Sequence, residues 1–203
     1  MLFLQLIMEN QDRKRELIIE AAVKRFAHYG LAKTTMTEIA SDLSLSKALL
    51  YYYFPDKIHL YAAVLEYIIR LVGDDIHNGL IGIQDSNEAL DYYLNKRHNY
   101  LKKYYNIFEL VRASALDLPA ELVPVLAKAR AAEIDQILTV LHKQKNAGAE
   151  SNETAALLYD AFVGMRSPVF HSKKTFQLDP EVFETLLERQ KMLGAIFLKG
   201  LTI

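Results

Sequence analysis

The sequence predicts an all-α protein in two parts, a small N-terminal three-helix head and a larger helical bundle. Three observations carry that expectation. Apolar residues recur at helical spacing through nearly all of the 203 residues. The alternation expected of strands is weak everywhere. The breaks between periodic stretches hold cap and turn residues: Asp85-Ser86-Asn87, Leu118-Pro119, Asn146-Ala147-Gly148 and Asp179-Pro180. The last pairs an N-cap with proline at the first helical position, where a missing N–H costs nothing.

The elements follow in order. Leu17, Ile18, Ala21, Ala22 and Phe26 give a first helix an apolar face. His28-Tyr29-Gly30 ends it, with Gly30 as a left-handed cap. Thr35-Met36-Thr37-Glu38 is a capping box, in which the Thr35 hydroxyl accepts from the third helical amide and Glu38 reaches back. The short helix it starts turns Met36, Ile39, Ala40 and Leu43 inward. Ser44 and Leu45 interrupt the pattern, and Ser46 is a good N-cap for a third helix ending near Tyr53. Pro55-Asp56 breaks that one and starts a long helix with Leu60, Val64, Ile68 and Leu71 on one side. Further helices are expected near 87–105, 106–117, 121–146, 152–169 and 180–200. This places a head over residues 9–56 and a larger domain over 57–203.

Composition narrows the function classes. The net charge is −1, so any surface for an acidic partner must be local. There is no cysteine, which excludes disulfides, thiolate catalysis and Cys-ligated zinc and suits a cytoplasmic protein. The opening residues MLFLQLIM are apolar but lack a basic leader and are too short to span a membrane. Two readings of them stay open: residues 1–7 as an extension ahead of a start at Met8, or a short arm packed on the body.

The stretch SLSKALLYYYF, from Ser44 to Phe54, carries the functional argument. Two short helices joined by a tight turn form a helix-turn-helix, whose second helix presents its first residues to base edges in the DNA major groove. On that helix Leu45, Leu50 and Phe54 share an inward face, while Lys47, Ala48 and Tyr51 point out together. Tyr52 and Tyr53 lie at the flank, where a phenol can donate to a phosphate oxygen. Aromatics at helical spacing are more often core than contact. Charge alone favours a solvated surface as well: residues 9–60 hold 8 Lys/Arg against 7 Asp/Glu, a balance of +1.

Residues 30–57 resemble the signature of TetR-type transcriptional regulators, on Gly30, Thr34-Thr35, Ile39-Ala40, Ser46-Lys47, Leu50-Tyr51, Phe54 and Lys57. The resemblance is close over about residues 13–62 and is one of layout beyond. It implies that Thr35 and the amides at its helix start bind phosphate, that Lys47 and Ala48 face bases, and that Tyr51 contacts base or backbone. Tyr52, Tyr53 and Lys57 would contact phosphates. Two positions depart from the pattern. Ser44 stands where glycine is common, so the turn is strained or differently shaped. Leu49 stands where a polar residue is common. It meets either a thymine methyl or the domain itself.

The larger domain holds an aromatic stripe. Tyr100, Tyr104, Phe108 and Arg112 are spaced by four and share a face while the helix continues. The stripe is either bundle core or the wall of a pocket with one charge for an anionic group, which Tyr159, Phe162 and Arg166 would complete. The resemblance implies an effector pocket in this domain, for an apolar or amphipathic small molecule. The last two helices have wide apolar faces, with Leu158, Phe162 and Met165 on one and Phe183, Leu187, Gly194 and Phe197 on the other; Ala161 is small enough for close approach. By resemblance these faces form a homodimer seam. Read alone, they equally make an intramolecular core.

Enzyme readings lack support. No E-x-x-H, H-E-x-x-H, P-loop or G-x-G-x-x-G motif occurs, and the 6 histidines form no i,i+4 pair. Asp74 and His77 sit one turn apart but are expected to be solvated, so neither metal nor cofactor is expected. Together these readings predict a homodimeric, ligand-released repressor acting on a palindromic operator. The rival is a helical bundle that binds a small molecule and never DNA.

Overall fold

The computed structural model describes the backbone of residues 2–108, 110–111, 118–144, 152–171 and 180–201, with side chains described from residue 10 onward except those of 167–171. Among the described residues every regular element is a helix. The chain divides into two compact units, Met1–Ile68 with Tyr104–Val125, and Ile69–Lys103 with Leu126–Ile203. The head expected at 9–56 is thus extended by the start of the next helix and by a segment far along the chain.

In the first unit, helix α1 covers Leu2–Lys33 and buries Ile18, Ile19, Ala22 and Phe26. Leu17, expected inward, is 46% exposed, because Ile19 completes the apolar stripe in its place. Gly30 interrupts the helix with φ 78 and ψ 167. That is a glycine region, extended in ψ rather than the left-handed helical cap expected. Helix α2, Met36–Asp42, starts at the Thr35 capping box with both reciprocal bonds made, and buries Met36, Ile39 and Ala40. Ser44 adopts φ 53, so the turn keeps its left-handed residue without glycine. Helix α3, Lys47–Tyr53, is capped by Ser46, whose hydroxyl accepts from the Leu49 amide at 3.1 Å. It buries Leu50, and Phe54 beyond it is 3% exposed.

Helix α4, Lys57–Leu80, begins in this unit, where the Asp56 carboxylate accepts from the His59 amide at 2.9 Å. Its residues Leu60, Tyr61, Val64, Leu65 and Ile68 are buried. The returning segment is fastened by hydrogen bonds. The Tyr61 hydroxyl donates to the Ile107 carbonyl, and the Asn106 amide donates to the Ala27 carbonyl at 2.9 Å, near the end of α1. Ile107, Leu122 and Val125 are buried, Leu122 closing a 3₁₀ turn over Ala120–Leu122.

The second unit contains the end of α4, helix α5 (Ser86–Lys103), most of α6 (Val123–Leu141), α7 (Asn152–His171) and α8 (Pro180–Gly200). Helix α8 packs on α5 and α7. Gly194 permits the first contact: a Cβ there would sit 2.6 Å from Leu90 Cδ2. This differs from the seam expected in the sequence. Leu158, Phe162, Phe183 and Leu187 are each 5% exposed or less inside the chain's own bundle, and Gly194 faces α5. Ala161, Met165 and Phe197 are half-buried. Periodicity identifies an apolar face but not what covers it. The outer faces hold other residues: Leu157 and Val163 on α7, and Val182, Met192 and Ile196 on α8, between 38% and 65% exposed. No helix among the described residues is long and apolar enough to cross a membrane.

Candidate nucleic-acid interface and effector site

The outward surface of the head is built on the N-termini of α2 and α3. Thr34 is buried, and its hydroxyl donates to the Gly30 carbonyl at 2.9 Å, bracing the bend before α2. Thr35 is exposed but already engaged. Its hydroxyl accepts from the Glu38 amide at 3.2 Å and donates to the Glu38 carboxylate at 2.8 Å, and its own amide donates to that carboxylate at 2.8 Å. These hydrogen bonds from Thr35 hold the Glu38 carboxyl below its ordinary pKa. Arg25 lies 3.5 Å from Glu38 and donates to Asp42 at 2.7 Å, tying α1 to both ends of α2. An anion at this helix start therefore has the free amides of the first turn, favoured by the helix dipole, rather than the Thr35 side chain.

On α3, Lys47 and Ala48 are exposed, as are Tyr51 at 40% and Tyr52 at 71%. The Lys47 ammonium lies 5.8 Å from the Tyr51 ring centroid, so the two form one amphipathic edge. Tyr53 is half-buried and stands edge-on to Tyr52 at 5.4 Å. Leu49 is half-buried and packs in part on the head. Arg15 from α1 covers the Phe54 ring at 5.1 Å. Lys57 takes a different role from the phosphate contact expected. Its ammonium donates to the carbonyls of Leu31 at 2.9 Å and Thr34 at 3.1 Å, closing the gap left where α1 stops.

In the second unit the expected stripe does not continue as one helix face. Helix α5 ends at Lys103, so spacing by four loses its meaning at Tyr104. Tyr100 donates to Asp75 at 2.9 Å beside the Lys96–Asp75 ion pair. Tyr104 and Phe108 belong to the first unit, and Arg112 lies outside the described residues. Tyr159, Phe162 and Arg166 are on α7 as expected, with Phe162 fully buried.

Around Arg166 the structure gathers residues that the sequence reading missed. Glu133 on α6 is 5% exposed and accepts from Arg166 Nη2 at 2.9 Å, from the Tyr93 hydroxyl at 3.3 Å and from Arg97. Burial opposes ionisation of Glu133, but Arg166 and Arg97 outweigh it and hold the carboxyl below its ordinary value. Gln136, one turn further along α6, is 7% exposed and its Oε1 has no hydrogen-bond partner. Arg97, Glu133 and Arg166 are tens of residues apart, each on a helix where an isolated charge reads as solvated surface. No signal in the sequence joins them.

Two short helices on a tight turn, the second with one face buried and the other bearing lysine and tyrosines, define the helix-turn-helix class of regulators. The comparisons agree with that geometry. Residues 18–64 match the model for bacterial regulatory proteins of the tetR family. The HTH-type transcriptional regulator YuxN of Bacillus subtilis (strain 168) is 44% identical over 54 residues, 27% of this chain and 19% of that protein. The chain spans less than a third of the length of the curated relatives first matched. A crystal structure of a transcriptional regulator from Cytophaga hutchinsonii ATCC 33406 is similar over 94% of this chain and 99% of that one, with 31% identity and a TM-score of 0.79. A regulator from Saccharomonospora viridis, solved in complex with choline, shares the fold at 18% identity and a TM-score of 0.69, over 90% of this chain and 95% of that one. The chain belongs to the TetR family of transcriptional regulators.

Proposed function

We propose that this regulator is a cytoplasmic homodimeric repressor that binds a palindromic operator and is released by a small-molecule effector held in its second unit. One observation carries the DNA reading: Lys47, Ala48, Tyr51 and Tyr52 stand exposed together on α3, whose opposite face is fixed by Leu50 and Phe54. Lysine and alanine at the start of such a helix suit base edges, and the tyrosine hydroxyls suit phosphate oxygens, which fix register without reading sequence. The outer apolar residues Leu157, Val163, Met192 and Ile196 support dimerisation, since two copies of such a surface make a self-complementary contact. The choline-bound relative is a precedent for a small molecule in this fold. An effector releases the operator only through its greater affinity for the non-binding state.

Selection of duplexes from a random pool, followed by titration at several salt concentrations, tests the reading. Two half-sites about one helical turn apart, roughly 34–36 Å, are expected, with affinity falling steeply as salt rises. Enrichment of no sequence, with only weak and uniform duplex binding, would sink it.

A further inference from the structure

We infer that the effector is a small monocarboxylate with an aromatic or alkyl body, received by the guanidinium groups of Arg97 and Arg166 with Glu133 as their built-in counter-charge. The inference rests on the reading that the second unit binds a small molecule. It names the ligand's chemistry and the residues that meet its charge.

The first argument is charge. Among the described residues two arginines share one carboxylate, so the cluster holds two positive charges against one negative. Neighbouring cations leave this sum unchanged. Arg130 is paired with Asp160 at 3.3 Å, and Lys96 with Asp75 at 2.8 Å. Arg166 and Glu133 are buried, and an excess charge beside them is costly unless something neutralises it. A monoanion brings the cluster to neutrality. A phosphate monoester would overshoot to a net negative charge, and a cation would double the excess.

The second argument is unspent bonding capacity. A guanidinium carries five N–H donors in a planar fork that matches a carboxylate. Among the described residues Arg166 spends only Nη2, on Glu133, although the residue is 9% exposed. Its Nε and Nη1 are not among the buried atoms sealed without a partner, which are His98 Nε2 and Gln136 Oε1. The side chain keeps 11% exposure, and these two nitrogens are where a ligand carboxylate would be received. Arg97, with 26% of its side chain exposed, likewise spends only Nη2 in this cluster.

The surroundings fit a body attached to that carboxylate. Phe162 lies one turn before Arg166 on α7, and Tyr159 beside it is half-buried with Arg130 over its ring at 5.3 Å.

The test uses the full chain, with calorimetry and thermal shift against phenylacetate, octanoate, uncharged phenylacetamide and choline. The acids should bind at least tenfold more tightly than the amide, and choline should not bind. Arg97→Met leaves Arg166 and Glu133 as a balanced pair, so it should fold, lose at least tenfold in carboxylate affinity and leave any amide binding unchanged. Equal binding of acid and amide, no binding of either acid at millimolar concentration, or an unaltered Arg97→Met overturns the assignment. If phenylacetamide binds and releases the selected duplex while the acids do neither, effector control stands and the anionic assignment alone falls. If no duplex is selected, the regulator reading fails independently of the acid titrations.

Discussion

Lys57→Met separates an internal role for this lysine from a DNA-contacting one. Methionine keeps most of the stem and removes the ammonium. In the native head that ammonium bonds the carbonyls of Leu31 and Thr34, whose residues are 7% and 1% exposed. The Leu31 carbonyl retains the Thr34 amide at 3.3 Å, while the Thr34 carbonyl loses its charged partner. A hydrogen bond to a charged group is worth about 1.5–3 kcal/mol, and a stranded buried acceptor costs about 1–3 kcal/mol. Partial burial of Lys57 and the surviving bond at Leu31 argue for the lower part of that range, so we predict a loss of about 2 kcal/mol. The melting temperature should fall by roughly 4–8 °C if the whole chain unfolds together, and about twice that if the head melts alone. Urea denaturation and thermal melting measure the loss. The slope of log affinity against log salt for a selected duplex should stay unchanged, whereas one lost phosphate contact flattens it by about 0.9. Undiminished stability with a flatter salt slope would refute the internal role and restore the phosphate contact.

Further outcomes follow from the same geometry. Ser44→Gly relieves a left-handed serine and should raise head stability by up to about 1 kcal/mol in urea denaturation; a loss would mean that the Ser44 side chain contributes more than its backbone costs. Lys47→Ala should weaken operator binding and relax sequence preference, while Tyr52→Phe should weaken all sites alike, by fluorescence anisotropy at fixed salt. Ile196→Glu places a charge on the outer face of α8 and should give a folded monomer by sedimentation that no longer binds a two-half-site duplex; an intact dimer would place the seam elsewhere. Glu133 has a depressed folded pKa, so its stabilisation is present above the unfolded value of about 4.3 and is lost as pH falls through the folded one. Glu133→Gln should therefore cost about 3 kcal/mol at neutral pH, with a flatter acid limb below the unfolded value of about 4.3. Parallel acid limbs would exclude that linkage.

The head was legible because its signals are local. The Thr35–Glu38 box, the Ser46 cap and the Asp56 start each lie within four residues of the groups they satisfy. The outward set on α3 followed from one helical turn of spacing. What escaped reading was partnership at a distance. Lys57 bonds carbonyls 26 and 23 residues away. Glu133 answers arginines 36 and 33 residues away on two other helices. The apolar faces of α7 and α8 are legible as faces, but not what covers them: Leu158, Phe162, Phe183 and Leu187 meet the chain's own bundle, while Ala161, Met165 and Phe197 are half-buried. Helical periodicity is the same for a residue that meets its own chain and for one that meets a second copy. The aromatic stripe failed for another reason: its spacing argument needed an unbroken helix through Lys103, and the helix stops there.

The bonds from Tyr61 to Ile107 and from Asn106 to Ala27 bear on how the protein is made. The chain up to Ile68 leaves the ribosome before the segment Tyr104–Val125 of the same unit is made. At about 5–20 residues per second, the intervening synthesis takes roughly 3–11 s. During that interval the Ile107 carbonyl that Tyr61 donates to has not been made, and the apolar surface that Ile107 covers is unshielded. The nascent head is therefore a client for whatever shields apolar surface in the cell, and a fragment cut at residue 68 inherits that condition permanently.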